Sequence, residues 1–293
     1  MAVVDRHQSR VGRLVRRFLP RKTAILGAAL VLFVVAGAVF APILAPYPPN
    51  QTVARPTQPP SREHPLGTDE VGRDLLSRTI YGARASLMVG VGAQLLSATI
   101  GVLLGTISGY YGGRKDMVLM RIVDTFMAFP FILLAILFVA ALGPNTQNVI
   151  LAIGLTAWTT TCRIVRGQTL SLREEAYIEA ARSIGASNWR ILGVHVLPNV
   201  VPITVIMFTL GIGSAILAES SLSFLGLGIQ PPTASWGKTL AFGQVVIFTA
   251  PYLSIVPTFA ILITVLGFNL FGDGLRDALD PRESTFRGQI GGR

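Results

Sequence analysis

Charge is what this chain has least of. Asp, Glu, Lys and Arg make up 14% of its 293 residues, against roughly 25% in soluble domains. The deficit falls in long uncharged runs, and mean hydropathy is +0.57. Together these exclude a protein built mainly of aqueous domains and place it in a bilayer. Cysteine is nearly absent: Cys162 alone permits no internal disulfide and no thiolate metal cluster. Histidine is scarce, with three residues, and His64 has no His or Cys neighbour at metal-ligand spacing. A phosphate-binding loop is missing. Gly237-Lys238-Thr239 has the ending of one, but Pro232 stands where the pattern needs glycine. The apolar runs hold no series of acids and histidines that could relay protons, and the two halves lack obvious inverted symmetry. Both absences argue against an ion-coupled secondary carrier or channel, the competing class.

What is present is six apolar runs, each near the roughly 20 residues needed to cross the hydrocarbon. They cover 23–45, the stretch between Arg84 and Arg114, about 117–142, 149–165, 199–222 and about 251–271. A turn is expected at Gly143-Pro144-Asn145. The first run exceeds the roughly 7–15 residues of a signal-peptide core, so an uncleaved span is expected. Six spans put both termini on one side. With that side cytoplasmic, nineteen of the 25 Lys and Arg residues face inward, as short-loop charge bias requires. The net charge of +10 is then a topology signal facing anionic lipid. Nucleic acid is excluded as a partner, because the bases are split among four segments. The expected organisation is a cytoplasmic segment 1–22, a first span 23–45, an extracytoplasmic Pro-rich linker and amphipathic helix 46–84, a five-helix core 85–272 with a cytoplasmic loop 167–198, and a tail 273–293.

Several local readings follow. Thr68 can cap the outer amphipathic helix, with acids in its first turn. Residues 241–249 are apolar enough for a short interfacial or re-entrant segment. Gly101, Gly105 and Gly109 recur every four residues, which lets helix backbones approach closely. Pro130 and Pro257 invite kinks. Asp124 sits three residues after Arg121, the spacing of a local ion pair. Glu219 has no base within helical reach. It is either a substrate-path residue or a structural polar contact.

The longest polar interruption in the second half is 167–198. Glu174 and Glu175 suit a helix start and Arg182 its end. Tyr177, Ala180, Ala181 and Ile184 are spaced as one apolar stripe, Glu179 lies off it, and Gly185 is placed as a glycine cap. A second short helix follows, with Trp189, Leu192 and Val196 as its stripe, and Pro198 marks the next span. Small alanines let a partner approach.

This segment resembles the EAA loop of ABC importer permeases: Glu-Ala-Ala, three residues, Gly, nine residues, an aliphatic, any residue, Leu-Pro. Glu179, Ala180, Ala181, Gly185, Leu197 and Pro198 match, with His195 in the aliphatic position. Leu66-Gly67-Thr68-Asp69, Gly72-Arg73-Asp74, Tyr81-Gly82-Ala83-Arg84 and Leu222-Ser223-Phe224-Leu225-Gly226-Leu227-Gly228 resemble the C-type permease of the peptide/nickel subfamily. The resemblance implies an all-α, six-span, non-catalytic subunit of the type I importer fold. It further implies a homologous B-type permease as heterodimer partner, ABC ATPase subunits, and an extracytoplasmic substrate-binding protein. ATP and Mg would be bound by the ATPases, with no cofactor on this chain. The loop from Glu175 to Pro198, Tyr177 and Ile184 included, would dock on the ATPase. Di- or oligopeptides are the implied cargo, with nickel or another small solute as the alternative.

Overall fold

The computed structural model describes residues 18 and 20–279. The expected basic ends, Arg6 to Arg17 and Arg282 to Arg293, lie outside the described residues. Ten helices are used below: α1 (Lys22–Val39), α2 (Ala41–Leu44), α3 (Leu75–Tyr111), α4 (Gly113–Met127), α5 (Phe131–Leu142), α6 (Thr146–Arg173), α7 (Ala176–Ser183), α8 (Asn188–Phe224), α9 (Trp236–Val245) and α10 (Tyr252–Leu279). A π-helical turn, Ile191–Val196, lies within α8. Extended pairing among the described residues is confined to two single bridges, Thr52–Arg73 and Thr68–Asp74. Five helices (α1, α3, α6, α8 and α10) are long and apolar enough to span a membrane, and α4 with α5 forms a sixth crossing if taken together.

The third expected span is therefore corrected. It is broken at residues 128–130, where α4 and α5 meet at 87°. Pro130 has no N–H to donate, and the residue before a proline avoids helical backbone. Two ion pairs then draw α4 onto α6: Asp116 with Arg166 (2.5 Å) and Asp124 with Arg163. The local Arg121–Asp124 pair is only a 4.0 Å contact, so the cross-helix partner is the main one.

The outer amphipathic helix is also corrected. Residues 46–74 form a hydrogen-bonded loop instead, and α3 starts at Leu75. Asp69 explains why: its Oδ1 accepts from the backbone N–H of Val71 and Arg73, and its Oδ2 accepts from Arg73 Nε at 2.6 Å. Short carboxylates that bond their own backbone favour turns over helix. Gly67 and Gly72, at φ +83° and +80°, take the left-handed conformations this loop needs. Thr68 caps nothing; its hydroxyl donates to Arg55 O and accepts from Gln58 N–H. Asp74 caps α3 by accepting from Ser77 N–H at 2.8 Å, while its other oxygen meets His64 Nδ1 at 3.0 Å. His64 is thus a buried fastener of the loop.

The core lies where α3, α6 and α8 meet, with Val89, Ala93, Ile153, Ala215 and Leu222 buried together. The glycine stripe of α3 sits on α6. A Cβ at Gly101 would fall 2.7 Å from Thr161 Cβ, and one at Gly109 would fall 2.7 Å from Arg166 O. Close approach is what these glycines supply. The short segment near 241–249 resolves as the second half of α9 and its following turn. α9 has ten residues, too few to span. Trp236 fixes it, donating from Nε1 to Thr79 O at 2.9 Å.

Candidate functional site

Three long helices end or begin at one end of the bundle, and the 167–198 segment is built there. α6 runs to Arg173, the backbone of Glu175 opens α7 in extended conformation, and α7 lasts eight residues. Gly185 at φ +81° closes it. Ala186 N–H donates to Ala181 O (3.0 Å) and Gly185 N–H to Arg182 O (2.9 Å), the paired bonds of a Schellman cap. Ser187 then caps α8, accepting from Arg190 N–H. The π-helical turn shifts the helix phase before Leu197 and Pro198 continue the long span.

The expected stripes are partly rotated. Ile178 and Ala181 point inward, into a buried cluster with Tyr110, Ile191, Leu192 and Val196. Tyr177, Ala180 and Ile184 share the outward face, as does Trp189; Ile184 and Trp189 are 86% and 78% exposed. Trp189 therefore leaves the stripe it was assigned, while Leu192 and Val196 keep theirs. Glu175 and Glu179 are exposed on the same segment, and Leu197 is half-buried. The phase error has a simple source: Ile178 and Ala181 fit helical spacing as well as Tyr177 and Ala181 do, and only the packing chooses.

Two contacts found only in the structure pin this segment to α3. Tyr110 OH donates to Asn188 Oδ1 at 2.8 Å, and the Arg182 guanidinium lies over the Tyr110 ring at 5.2 Å. His195 is half-buried with its ring centroid 6.1 Å from that of Tyr177. The result is a packed platform whose outer face shows an apolar stripe of Tyr177, Ala180, Ile184 and Trp189 beside the exposed Glu175 and Glu179. Such a face suits the groove of a second protein.

A cavity of about 460 Å³ opens where α4 breaks from α5. Phe126, Met127, Phe129 and Phe131 form its rim at the break, and α3, α6 and α8 form its wall. The wall residues Gln94, Thr159 and Gly211 lie near the middle of their long helices, so the cavity sits near mid-membrane depth. Its polar groups are amides and hydroxyls, including Thr156, Thr160 and Ser214; no lining side chain carries charge. Sequence reading passed over Gln94, although a glutamine in a 29-residue uncharged run was a usable signal.

Glu219 is elsewhere. It is fully buried and does not line the cavity. Its carboxylate accepts from Ser223 Oγ (2.7 Å), Ser235 Oγ (3.1 Å), Ser86 Oγ (3.2 Å) and Ser220 Oγ (3.4 Å). Those hydroxyls come from α3, from α8 itself and from the residue that caps α9. Among the described residues no group of His, Cys, Asp and Glu could hold a metal ion.

The chain is similar to known membrane proteins over most of its length. Residues 101–285 match the family described as binding-protein-dependent transport system inner membrane component. Residues 9–60 match the N-terminal transmembrane domain of oligopeptide transport permease C. The glutathione transport system permease protein GsiD of Pectobacterium atrosepticum is 45% identical over 269 residues, 91% of this chain and 89% of the relative. The dipeptide transport system permease protein DppC of Alkalihalophilus pseudofirmus is 46% identical over 262 residues, 89% and 86% of the two chains. Among solved structures, an inward-facing MetNI methionine ABC transporter chain matches with a TM-score of 0.55 at 19% identity, over 69% of this chain and 96% of that one. That likeness carries the fold.

Proposed function

This chain belongs to the binding-protein-dependent transport system inner membrane components, as a peptide-type permease subunit of an ABC importer, and from that premise we propose how it works. It forms half of a translocation pore for di- and oligopeptides and is driven by ATP hydrolysed on a separate subunit. The observation that carries this is the platform at 175–198: an exposed apolar face on a buried seat shared by α3, α6 and α8. A push on that face moves three membrane helices together.

In this reading α7 docks in a cleft of an ABC ATPase, with Tyr177, Ala180 and Ile184 as the contact stripe and Glu175 and Glu179 at its edge. Gly185, Leu197 and Pro198 set its angle to the membrane. ATP and Mg belong to the ATPase, and this chain performs no chemistry. Closure of the ATPases rocks the platform and shifts the pore between two packings, a population change rather than a continuous deformation. A homologous B-type permease completes the pore, and a substrate-binding protein delivers cargo at the far end. Both termini are cytoplasmic in a bacterial inner membrane, and the organisation by residue is that given above, with 85–272 as the core, except that 46–74 is a folded loop and α3 begins at Leu75.

The relatives named for dipeptide and glutathione transport favour a peptide over nickel. A cavity lined without acids or histidines supports the same choice, and it weakens an ion-coupled carrier.

The test is Ala180→Trp, which fills the contact stripe, beside Gly185→Trp, which forces a side chain into left-handed backbone. Each should lower ATPase co-purification and peptide uptake about tenfold or more, the effect of losing ~1.4 kcal/mol of docking energy, with membrane insertion unchanged. Undiminished ATPase association in Ala180→Trp sinks the docking role.

A further inference from the structure

One polar side chain in the cavity wall is not used by the fold. Gln94 is only 6% exposed, lines the cavity, and makes no side-chain hydrogen bond among the described residues. Its amide atoms are not among the sealed, unpaired polar atoms of the described residues, so the carboxamide opens to the cavity with its donors and acceptor unspent. Its surroundings hold it in place all the same. A Cβ built at Gly211 of α8 would collide with the Gln94 carboxamide, lying 2.8 Å from Nε2. Glycine at 211 therefore makes the room in which the amide stands, between α3 and α8 at mid-membrane depth.

We propose that the Gln94 carboxamide is a substrate subsite in the pore and that it pairs with the peptide unit of the cargo. A carboxamide carries a donor and an acceptor side by side, the complement of a peptide C=O and N–H. Thr159, Thr160 and Ser214 add neutral hydroxyls to the same wall. No lining side chain is charged, so the charged termini of a dipeptide keep to water in the open cavity while the carboxamide reads the peptide unit common to all peptides. Met127 and Met207 line it with flexible apolar surface, which adapts to varied side chains. This rests on the peptide-permease reading above and deepens it.

The experiment uses the whole transporter, with partner permease, ATPases and binding protein, reconstituted in vesicles. The probes are dialanine and its analogue N-methylated at the peptide bond, each at a concentration that saturates the binding protein. Wild-type vesicles should favour dialanine. Gln94→Leu should lower dialanine uptake about tenfold, as loss of a buried hydrogen-bonded contact does, and bring the two peptides closer to parity. The binding protein is the same in both preparations, so its own preference cancels in the ratio. ATPase co-purification should stay within about twofold, because the docking platform is untouched. Gly211→Ala should act in the same direction by displacing the amide, and it carries the test if Gln94→Leu does not assemble. Wild-type uptake by Gln94→Leu, or reduced uptake with an unchanged ratio, overturns the subsite. Wild-type vesicles that hydrolyse ATP with the binding protein but import no peptide overturn the peptide reading itself.

Discussion

A carboxylate sealed inside a membrane protein needs partners, and Glu219 finds four hydroxyls. Sequence alone showed its isolation, since no base lies within a helical turn or two. It could not show Ser86 and Ser235, which are 133 and 16 residues away and are brought in only by packing. The arrangement identifies a tie between α3, α8 and the start of α9. Glu219→Ala removes the common acceptor and leaves a void, so it should destabilise the protein by about 2–4 kcal/mol. Glu219→Gln keeps an acceptor and the volume and should cost under about 1 kcal/mol. Thermal unfolding of the detergent-solubilised complex measures both. If Glu219→Ala melts like the wild type yet loses uptake, Glu219 serves the substrate path after all.

At the scale of elements, a single-residue pattern was legible wherever it reports a contact between straight helices. The glycine stripe of α3 is the clearest case, because its spacing matches one helix face and the partner helix lies directly on it. Gly105→Val would drive a branched side chain toward Val165 Cβ, 3.0 Å from an ideal Cβ at that site. It should cost about 1–3 kcal/mol, the range of an overpacked core. Gly167→Ala on the open face of α6 meets nothing within 4 Å and should be neutral or gain up to ~1 kcal/mol from helix propensity. Comparing the two melting curves tests the seam, and equal curves would refute it. The break between α4 and α5 was less legible. Pro130 announced a kink, but the size of the bend depends on Asp116 and Asp124 reaching Arg166 and Arg163 of a later helix. The stripe of α7 failed by one residue for the same reason: helical periodicity gives a face, and tertiary contacts choose its phase.

The whole molecule sets three features along one axis: the folded loop of residues 46–74, the mid-membrane cavity, and the platform of α7. α8 links the levels. Its segment Leu197–Phe224 has 28 residues, about 42 Å of helix at 1.5 Å per residue, which exceeds the hydrocarbon thickness. The platform at its start and the turn after α9 must then lie on opposite membrane faces. Which face is which rests on the positive-charge bias, a property of the entire sequence. The single cysteine makes this testable, because Cys162 is fully buried and a buried thiol reacts poorly. In a Cys162→Ala background, Thr249→Cys and Arg190→Cys each place one thiol at an exposed position. In spheroplasts, a membrane-impermeant maleimide should label Thr249→Cys at once and Arg190→Cys only after detergent permeabilisation. The reverse pattern would put α7 outside the cell, beyond reach of any ATPase, and the docking role would fall with the orientation.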